Sequence, residues 1–167
     1  MMKPMKYWYA VFVKTGEEDD VCKKISIISE KDEIVTLVPK RIVPEKHNGV
    51  FVYKTKLLYP GYVLINTAET KPRLYEKVLE IPSVYKWIHN NGVLSPLYEE
   101  EVAILLKLVD EIGIIQKSYA IVKNTNIKIV EGPLKDNYCI IQKFDKHKKR
   151  AKVKLSPYGN EKLIDLG

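Results

Sequence analysis

The sequence predicts an α+β protein, in which a mainly antiparallel sheet with flanking helices is followed by a small β-barrel. Two observations lead to this class. Up to about residue 113 the chain shows strand, helix, hairpin, helix, strand and helix patterns in turn, an order typical of α+β domains. From residue 124 onward it changes to short strands in which apolar and polar residues alternate, a pattern that indicates a small barrel.

The first two elements are a strand and a helix. The run Tyr7–Val13 is rich in aromatic and β-branched residues and predicts a central strand. Thr15, followed three residues later by Glu18, has the spacing of a capping box and predicts a helix over residues 17–29. The apolar stripe of this helix is Val21, Ile25 and Ile28.

A basic hairpin follows. Residues 32–44 are extended in pattern, Asn48-Gly49 is a favoured two-residue hairpin turn, and residues 50–58 form the second arm. Two interpretations of its charge stay open, a surface for a nucleic-acid backbone and a solvated edge that discourages sheet pairing. The charged residues are Lys40, Arg41, Lys46, Lys54 and Lys56.

Residues 57–66, LLYPGYVLIN, are an apolar run interrupted once by Pro60-Gly61. Proline fixes φ and glycine supplies conformational freedom, so the run predicts two extended arms joined by a tight turn. Tyr59 and Tyr62 then flank one corner of the chain. Their rings are either ordinary core packing or part of a binding surface, and residue types alone do not decide between the two.

Two more helices and a strand complete the N-terminal part. Thr70-Lys71-Pro72 predicts the start of a helix that ends by Ile81, before Pro82, and residues 84–88 predict a strand. Ser95-Pro96 predicts the start of a third helix that ends at Gly113. The apolar stripes are Leu74, Tyr75, Val78 and Leu79 in the second helix, and Leu97, Ile104, Leu105, Leu108 and Ile112 in the third.

The composition indicates a polyanionic partner in a reducing compartment. A net charge of +7 and a pI of about 9.2 favour nucleic acid as that partner. The sequence has no apolar run long enough to span a membrane and no secretory leader, so a cytoplasmic location is expected, with no membrane partner. Cys22 and Cys139 lack metal-ligand spacing and are interpreted as small apolar residues.

The charge is concentrated near the end of the chain. From Lys128 onward there are ten Lys and Arg against five Asp and Glu, an asymmetry that favours a phosphate-facing surface over a solubilising one, which would mix the signs. Lys152 and Lys154 share a strand face, and residues 146–150 would project beyond it; a solvated charged loop is the alternative. The predicted RNA-binding residues are Lys143, Lys146, His147, Lys148, Lys149, Arg150, Lys152 and Lys154.

Four short stretches together resemble the NusG family of transcription elongation factors. They are Trp8-Tyr9-Ala10-Val11, Val38-Pro39, the LYPGYVLI segment within residues 57–66, and Glu131-Gly132-Pro133-Leu134. The resemblance implies a polymerase-binding N-terminal domain over residues 5–113, a linker over 114–123 and a KOW β-barrel over 124–167. The linker is apolar where a flexible one would be polar, so it is predicted to be partly ordered.

The resemblance also implies a polymerase contact. Family members dock an aromatic concavity on the clamp helices of the largest RNA polymerase subunit, and the matching positions are Trp8, Tyr59, Pro60, Gly61 and Tyr62. Some relatives also contact the displaced non-template DNA strand. Here that place holds Glu80-Ile81, which is poorly suited to reading exposed bases, so this contact is disfavoured.

Within the family the chain is most similar to the specialised LoaP paralogs, which bind an RNA hairpin in a leader transcript and promote antitermination. Tyr158-Gly159-Asn160 replaces the Phe-Gly-Arg with which the housekeeping factor binds Rho and a ribosomal protein. Two alternatives remain, a general elongation factor without specific RNA binding and a ribosome-associated KOW protein.

No enzymatic activity is predicted. The sequence has no phosphate-cradling glycine-rich loop, no nucleophile elbow and no metal-ligand spacing around its three histidines, and no cofactor is implied. The weak alternative is a nuclease that uses an acidic run to hold metal, although such acids also suit a helix N-terminus. The run is Glu17, Glu18, Asp19 and Asp20.

Overall fold

The computed structural model describes residues 7–29, 34–68, 72–155 and 162–167. The predicted helix start at Thr70-Lys71, the beginning of the extended stretch at Asp32, and the segment Tyr158-Gly159-Asn160 lie outside these residues. Two compact units are formed. Unit 1 consists of the chain up to Val38 together with Tyr59–Glu99, and unit 2 of Pro39–Leu58 together with Glu100–Gly167. The predicted domain boundaries, 5–113, 114–123 and 124–167, stay a prediction.

The described residues contain fourteen strands and three α-helices. The strands are β1 (Tyr7–Val13), β2 (Val35–Leu37), β3 (Lys40–His47), β4 (Val50–Leu57), β5 (Tyr62–Thr67), β6 (Val84–Trp87), β7 (His89–Asn90), β8 (Val93–Leu94), β9 (Ile114–Ile115), β10 (Tyr119–Lys123), β11 (Asn126–Glu131), β12 (Ile141–Asp145), β13 (Arg150–Leu155) and β14 (Lys162–Leu166). The helices are α1 (Glu18–Ile28), α2 (Pro72–Leu79) and α3 (Glu99–Leu108), and a 3₁₀ turn covers Tyr138–Ile140.

Unit 1 is built on a four-stranded sheet in the order β2-β5-β1-β6. β1 pairs antiparallel with both β5 and β6, which confirms the prediction of a central strand. One face of β1 is buried throughout, because Tyr9, Val11 and Val13 lie in the core. Val21 and Ile25 of α1 are buried as well, as their spacing predicts.

Two helix starts differ from the sequence prediction. Glu17, and not Thr15, is the N-cap of α1, and no side chain caps the helix there. α3 begins at Glu99, after the predicted start at Ser95-Pro96, and the backbone N–H of Leu97, just before the helix, donates to the carbonyl of Trp8 (2.7 Å). α3 also ends earlier than predicted, and Ile112 lies beyond it with 77% of its surface exposed.

Unit 2 begins with the predicted hairpin. β3 and β4 pair over their full length across Asn48-Gly49, where both residues have positive φ (49° and 83°), which confirms the turn. β9 extends this sheet by a short parallel pairing with the start of β3. The other strands form a β10-β11 pair and a β12-β13-β14 sheet, both antiparallel.

These antiparallel sheets and three α-helices confirm the predicted class in its coarse form, a mixed α/β fold. The strands after residue 118 pair within two separate sheets, so this topology does not show a closed KOW barrel. In β13 the predicted alternation is confirmed, since Ala151, Val153 and Leu155 are buried between half-exposed lysines.

Gly132 occupies a place that no larger residue would fit. Its φ is +97°, and a Cβ atom there would lie 2.6 Å from Ser118 Cα and 2.7 Å from the Lys117 carbonyl oxygen. The absence of a side chain at Gly132 therefore allows the segment before β10 to pass close to this turn.

Replacing Gly132 with alanine is expected to reduce the free energy of unfolding by about 2–4 kcal/mol, because backbone overlap adds to the cost of positive φ. The matched control is Gly49→Ala in the same unit. Its φ is similar (+83°) but nothing lies within 4 Å, so only the conformational cost of about 1–2 kcal/mol is expected. Urea denaturation of the full chain measures both, and equal losses would contradict the close approach.

Candidate functional site

The turn at Tyr59–Tyr62 is fixed by the backbone. The N–H of Tyr62 donates to the carbonyl of Tyr59 (3.2 Å), and the N–H of Val13 donates to the carbonyl of Gly61 (2.8 Å). Gly61 has a φ of +84°, and a Cβ there would come within 3.0 Å of the Phe12 ring. Glycine is therefore required at this corner for both its conformation and its size.

A buried carboxylate also binds this turn through hydrogen bonds. Glu18, only 2% exposed, accepts the backbone N–H of Gly61 through Oε1 and that of Gly16 through Oε2, both at 2.8 Å. These bonds satisfy two donors from chain segments more than 40 residues apart. A capping-box residue would make only a local contact. Glu18 instead links the start of α1 to the turn at Tyr59–Tyr62, called the tyrosine turn below.

The aromatic residues near this turn divide into a buried and an accessible group. Tyr59 is 3% exposed and belongs to the core, whereas Trp8 and Tyr62 are half-buried. Trp8 and Phe12 share one face of β1, and Tyr62 lies opposite Phe12 in the sheet with its ring 5.4 Å away. The Tyr85 ring, on the next strand, is 5.5 Å from Phe12 and mostly exposed. Phe12 and Tyr85 extend the predicted surface.

The first two residues of the acidic run at the start of α1 already have partners within unit 1. Glu17 pairs with Lys14 (2.8 Å) and accepts a hydrogen bond from the Ser83 hydroxyl; these contacts, that of Lys14 first, lower the pKa of Glu17. Glu18 binds backbone N–H groups, as described above. Across the described part of the chain, no three His, Cys, Asp or Glu residues are grouped as a metal site would need.

The basic turn consists of residues 146–149, between β12 and β13. All four side chains are exposed. Lys146 Nζ donates to the carbonyl of Asn124 (3.2 Å), and Lys149 Nζ lies 4.4 Å from the centroid of the Phe51 ring. The backbone N–H of Lys148 donates to Asp145 (2.9 Å), and this hydrogen bond lowers the pKa of the Asp145 carboxyl group.

Arg150 does not project with this turn. Its Nε and Nη2 donate to the carbonyl of Pro44 on β3 (3.1 and 2.6 Å), and its Nη1 lies 3.5 Å from Oδ2 of Asp165. Arg41 of β3 donates to the backbone carbonyl of Asp165, and Lys152 Nζ lies 3.5 Å from its other carboxylate oxygen. Two arginines therefore tie the β3–β4 hairpin to the β12-β13-β14 sheet within unit 2.

Much of the hairpin's charge is also compensated locally. Lys54 (2.9 Å) and Lys56 both pair with Glu45 across the β3–β4 ladder. Hydrogen bonds from these ammonium groups, that of Lys56 first, lower the pKa of Glu45 to about 2. Lys54 and Lys56 are thus held at a charge-paired strand surface, which agrees with the solvated-edge interpretation of these two residues.

Comparison with known proteins identifies the family. A family model described as "Transcription termination factor nusG" matches residues 6–106, more than half of the chain. The chain belongs to the NusG family. The matched residues include all five predicted polymerase-contact positions, whereas the basic turn lies beyond them.

Individual NusG proteins are similar over nearly the whole chain. The "Transcription termination/antitermination protein NusG" of Helicobacter pylori is 24% identical over 168 residues, covering 97% of this chain and 95% of the relative. That of Halalkalibacterium halodurans is 27% identical over 169 residues, covering 96% and 94%. The solved structure described as "Domain interaction in Thermotoga maritima NusG" has a TM-score of 0.54 at 22% identity, covering 96% of this chain and 93% of that one. This likeness supports the NusG fold. No helix among the described residues is long and apolar enough to cross a membrane.

Each unit contains residues of interest that the sequence did not single out, Glu18 in unit 1, and Phe51 and Tyr53 in unit 2. Glu18 had been assigned to a helix end, and its long-range partner Gly61 gave no local signal. Phe51 and Tyr53 were not selected either, although their alternation in β4 places them on one strand face. A search for aromatic residues that alternate along a predicted strand between lysines would have found them.

Loss of the Glu18 carboxylate is expected to destabilise the tyrosine turn. In Glu18→Ala the N–H of Gly61 remains buried without its acceptor, so the free energy of unfolding should fall by about 1–3 kcal/mol. Asp20→Ala is the control, because it removes an equal charge from the same helix turn but at a largely exposed side chain. It should change stability by less than about 0.5 kcal/mol. Urea denaturation would contradict the role of Glu18 if the two losses were the same.

Proposed function

We propose that this NusG-family chain is a transcription antitermination and elongation factor of the LoaP type. In this proposal residues 5–113 bind RNA polymerase, and residues 124–167 form a KOW-type domain that binds a hairpin in the nascent leader transcript. Residues 114–123 link these two domains. Family membership and the names of the relatives support the transcriptional role. The observation that carries the RNA assignment is the exposed basic turn of residues 146–149.

The basic turn suits a folded RNA. Three lysines and a histidine are exposed within four residues, and the neighbouring acid, Asp145, already accepts the N–H of Lys148. A compact cationic turn matches the closely spaced phosphates of an RNA hairpin. Lys143 extends this surface, since it lies opposite Lys152 in the β12–β13 ladder. Arg150 and Lys152 act chiefly by positioning, through Pro44 and Asp165.

The polymerase contact is proposed for the accessible aromatic face of unit 1. Trp8 and Tyr62 supply half-buried rings on this face, while Tyr59, Pro60 and Gly61 set the geometry of the turn beneath Tyr62. Aromatic anchors of this kind dominate the binding energy of many protein interfaces. The proposed partner is the pair of clamp helices in the largest polymerase subunit.

The basic turn is tested with Lys146→Ala, Lys148→Ala and Lys149→Ala combined. The probe is the RNA hairpin that the wild-type chain enriches from a library of random hairpins, at stated salt concentrations. The variant should bind at least about tenfold more weakly, and the slope of log affinity against log salt should fall by about 1 for each lysine that contacts a phosphate.

The control variant combines Lys24→Ala, Lys86→Ala and Lys107→Ala, which removes the same charge from other exposed positions. It should keep the wild-type affinity. A basic-turn variant with unchanged affinity and salt slope would contradict the RNA assignment and favour a general NusG-type factor.

The polymerase contact is tested with Tyr62→Ala. Retention on an immobilised clamp-helix segment of the largest polymerase subunit should weaken by about 30-fold, the effect of losing one interface anchor worth roughly 2 kcal/mol. Tyr98→Ala removes an equally large, exposed ring elsewhere in unit 1 and should bind like the wild type. If the wild-type chain is not retained, or both variants are retained equally, the assignment of this face is wrong.

A further inference from the structure

Unit 2 contains a pocket that opens beside the basic turn. Its volume is about 380 Å³, which is within the range of small-molecule sites and too small for a double helix. It is lined by residues from β4, β10, β11 and the β12–β13 hairpin. The lining residues include Tyr53, Lys117, Tyr119, Ile129, Leu134, Lys146 and Lys149.

Two tyrosines line this pocket, and each is about half exposed, 47% for Tyr53 and 48% for Tyr119. The ammonium group of Lys117 lies between them, 4.5 Å from the Tyr53 centroid and 5.2 Å from the Tyr119 centroid. Both rings therefore approach a common point. A flat ring that enters there meets an aromatic face, and the long side chain of Lys117 can swing aside.

The same surface continues on to Phe51. Its ring lies 4.4 Å from Lys149 Nζ and 6.0 Å from Lys46 Nζ. The four cation–π contacts seen among the described residues thus involve three rings on β4 and β10 and the lysines around them. Alternation of exposed aromatic rings with lysines is typical of surfaces that bind single-stranded nucleic acid.

The interior and the rim of the pocket differ in polarity. Ile129 and Leu134, which line it, are buried apolar residues, whereas Lys146 and Lys149 lie at its edge on the basic turn. An occupant should therefore combine a flat ring of low charge with an anionic group. A nucleotide has this composition, with the base directed inward and the phosphate toward the lysines.

The strength of the two possible ring contacts also favours a base. An exposed ammonium group over a tyrosine ring is a weak contact, and stacking of a base on the same ring is stronger. A base that displaces Lys117 from Tyr53 leaves this lysine close to the incoming phosphate. The hydrogen bond of Lys117 with Tyr119 raises the pKa of this ammonium group.

We propose that this pocket binds one unpaired nucleotide of the RNA hairpin, with the base stacked on Tyr53 beside Tyr119 and its phosphate held by Lys146 and Lys149. The inference rests on the proposed RNA binding and assigns the selectivity of that site to the loop of the hairpin. RNA loops present splayed bases that a duplex does not.

The test uses the full chain and the selected hairpin, with 2-aminopurine placed at each loop position in turn. Wild-type protein should quench the fluorescence at one position by stacking, and an abasic site there should weaken binding about tenfold. Tyr53→Ala should abolish the quench and weaken binding by a similar factor without changing the salt slope. Tyr53→Phe retains the ring and should behave like the wild type, and Tyr98→Ala is the control for a lost exposed tyrosine.

The outcomes separate this inference from the proposed function. Hairpin binding that is weakened by the lysine variant but not by Tyr53→Ala or any abasic site overturns the pocket assignment alone. No hairpin binding by the wild type overturns both. Binding of free mononucleotides, seen as shifts of the Tyr53 ring resonances, with unchanged hairpin affinity in Tyr53→Ala, would assign the pocket to a free nucleotide and overturn the proposal.

Discussion

The two hydrogen bonds from Arg150 to the Pro44 carbonyl are the constraint on which the basic surface of unit 2 depends. Pro44 lacks an N–H group, so at this point of β3 the carbonyl is the backbone group available to a partner outside the β3–β4 ladder. A guanidinium group can bind this carbonyl through two nitrogens and still reach Asp165 with the third. The hairpin and the three-stranded sheet are thereby held together, and with them the rings of β4 and the lysines of the basic turn.

Acidic side chains in unit 2 mainly fix the scaffold. Asp165 receives Arg150 and Lys152, Glu45 receives Lys54 and Lys56, and Asp145 binds the backbone of the turn. Glu45 and Asp165 therefore offset charge at strand surfaces, whereas Asp145 fixes the backbone of the turn. Among the residues that the structure describes, the exposed lysines of residues 146–149 form no ion pair with a carboxylate, so their positive charge is available to a partner.

The sequence predicted the parts of the fold that depend on local patterns. β1, the Asn48-Gly49 turn and the alternation in β13 follow from residues within a few positions of one another. The contacts that position the two surfaces join residues far apart, 43 positions for Glu18 and Gly61 and 106 for Arg150 and Pro44. Local spacing contains no information about such partners.

This arrangement divides affinity from selectivity. Lysines on an exposed turn attract phosphates of any sequence, since an ammonium group is a point charge without directional preference. The residue best suited to directional recognition, Arg150, is already committed to Pro44 and Asp165. In the proposed RNA complex, discrimination between RNAs must then come from groups that contact bases, because phosphate contacts carry no sequence information directly. Within unit 2 the exposed rings of Tyr53 and Tyr119 meet that requirement, and Arg41 and Arg150 hold the hairpin that carries Tyr53 to the sheet beside the basic turn.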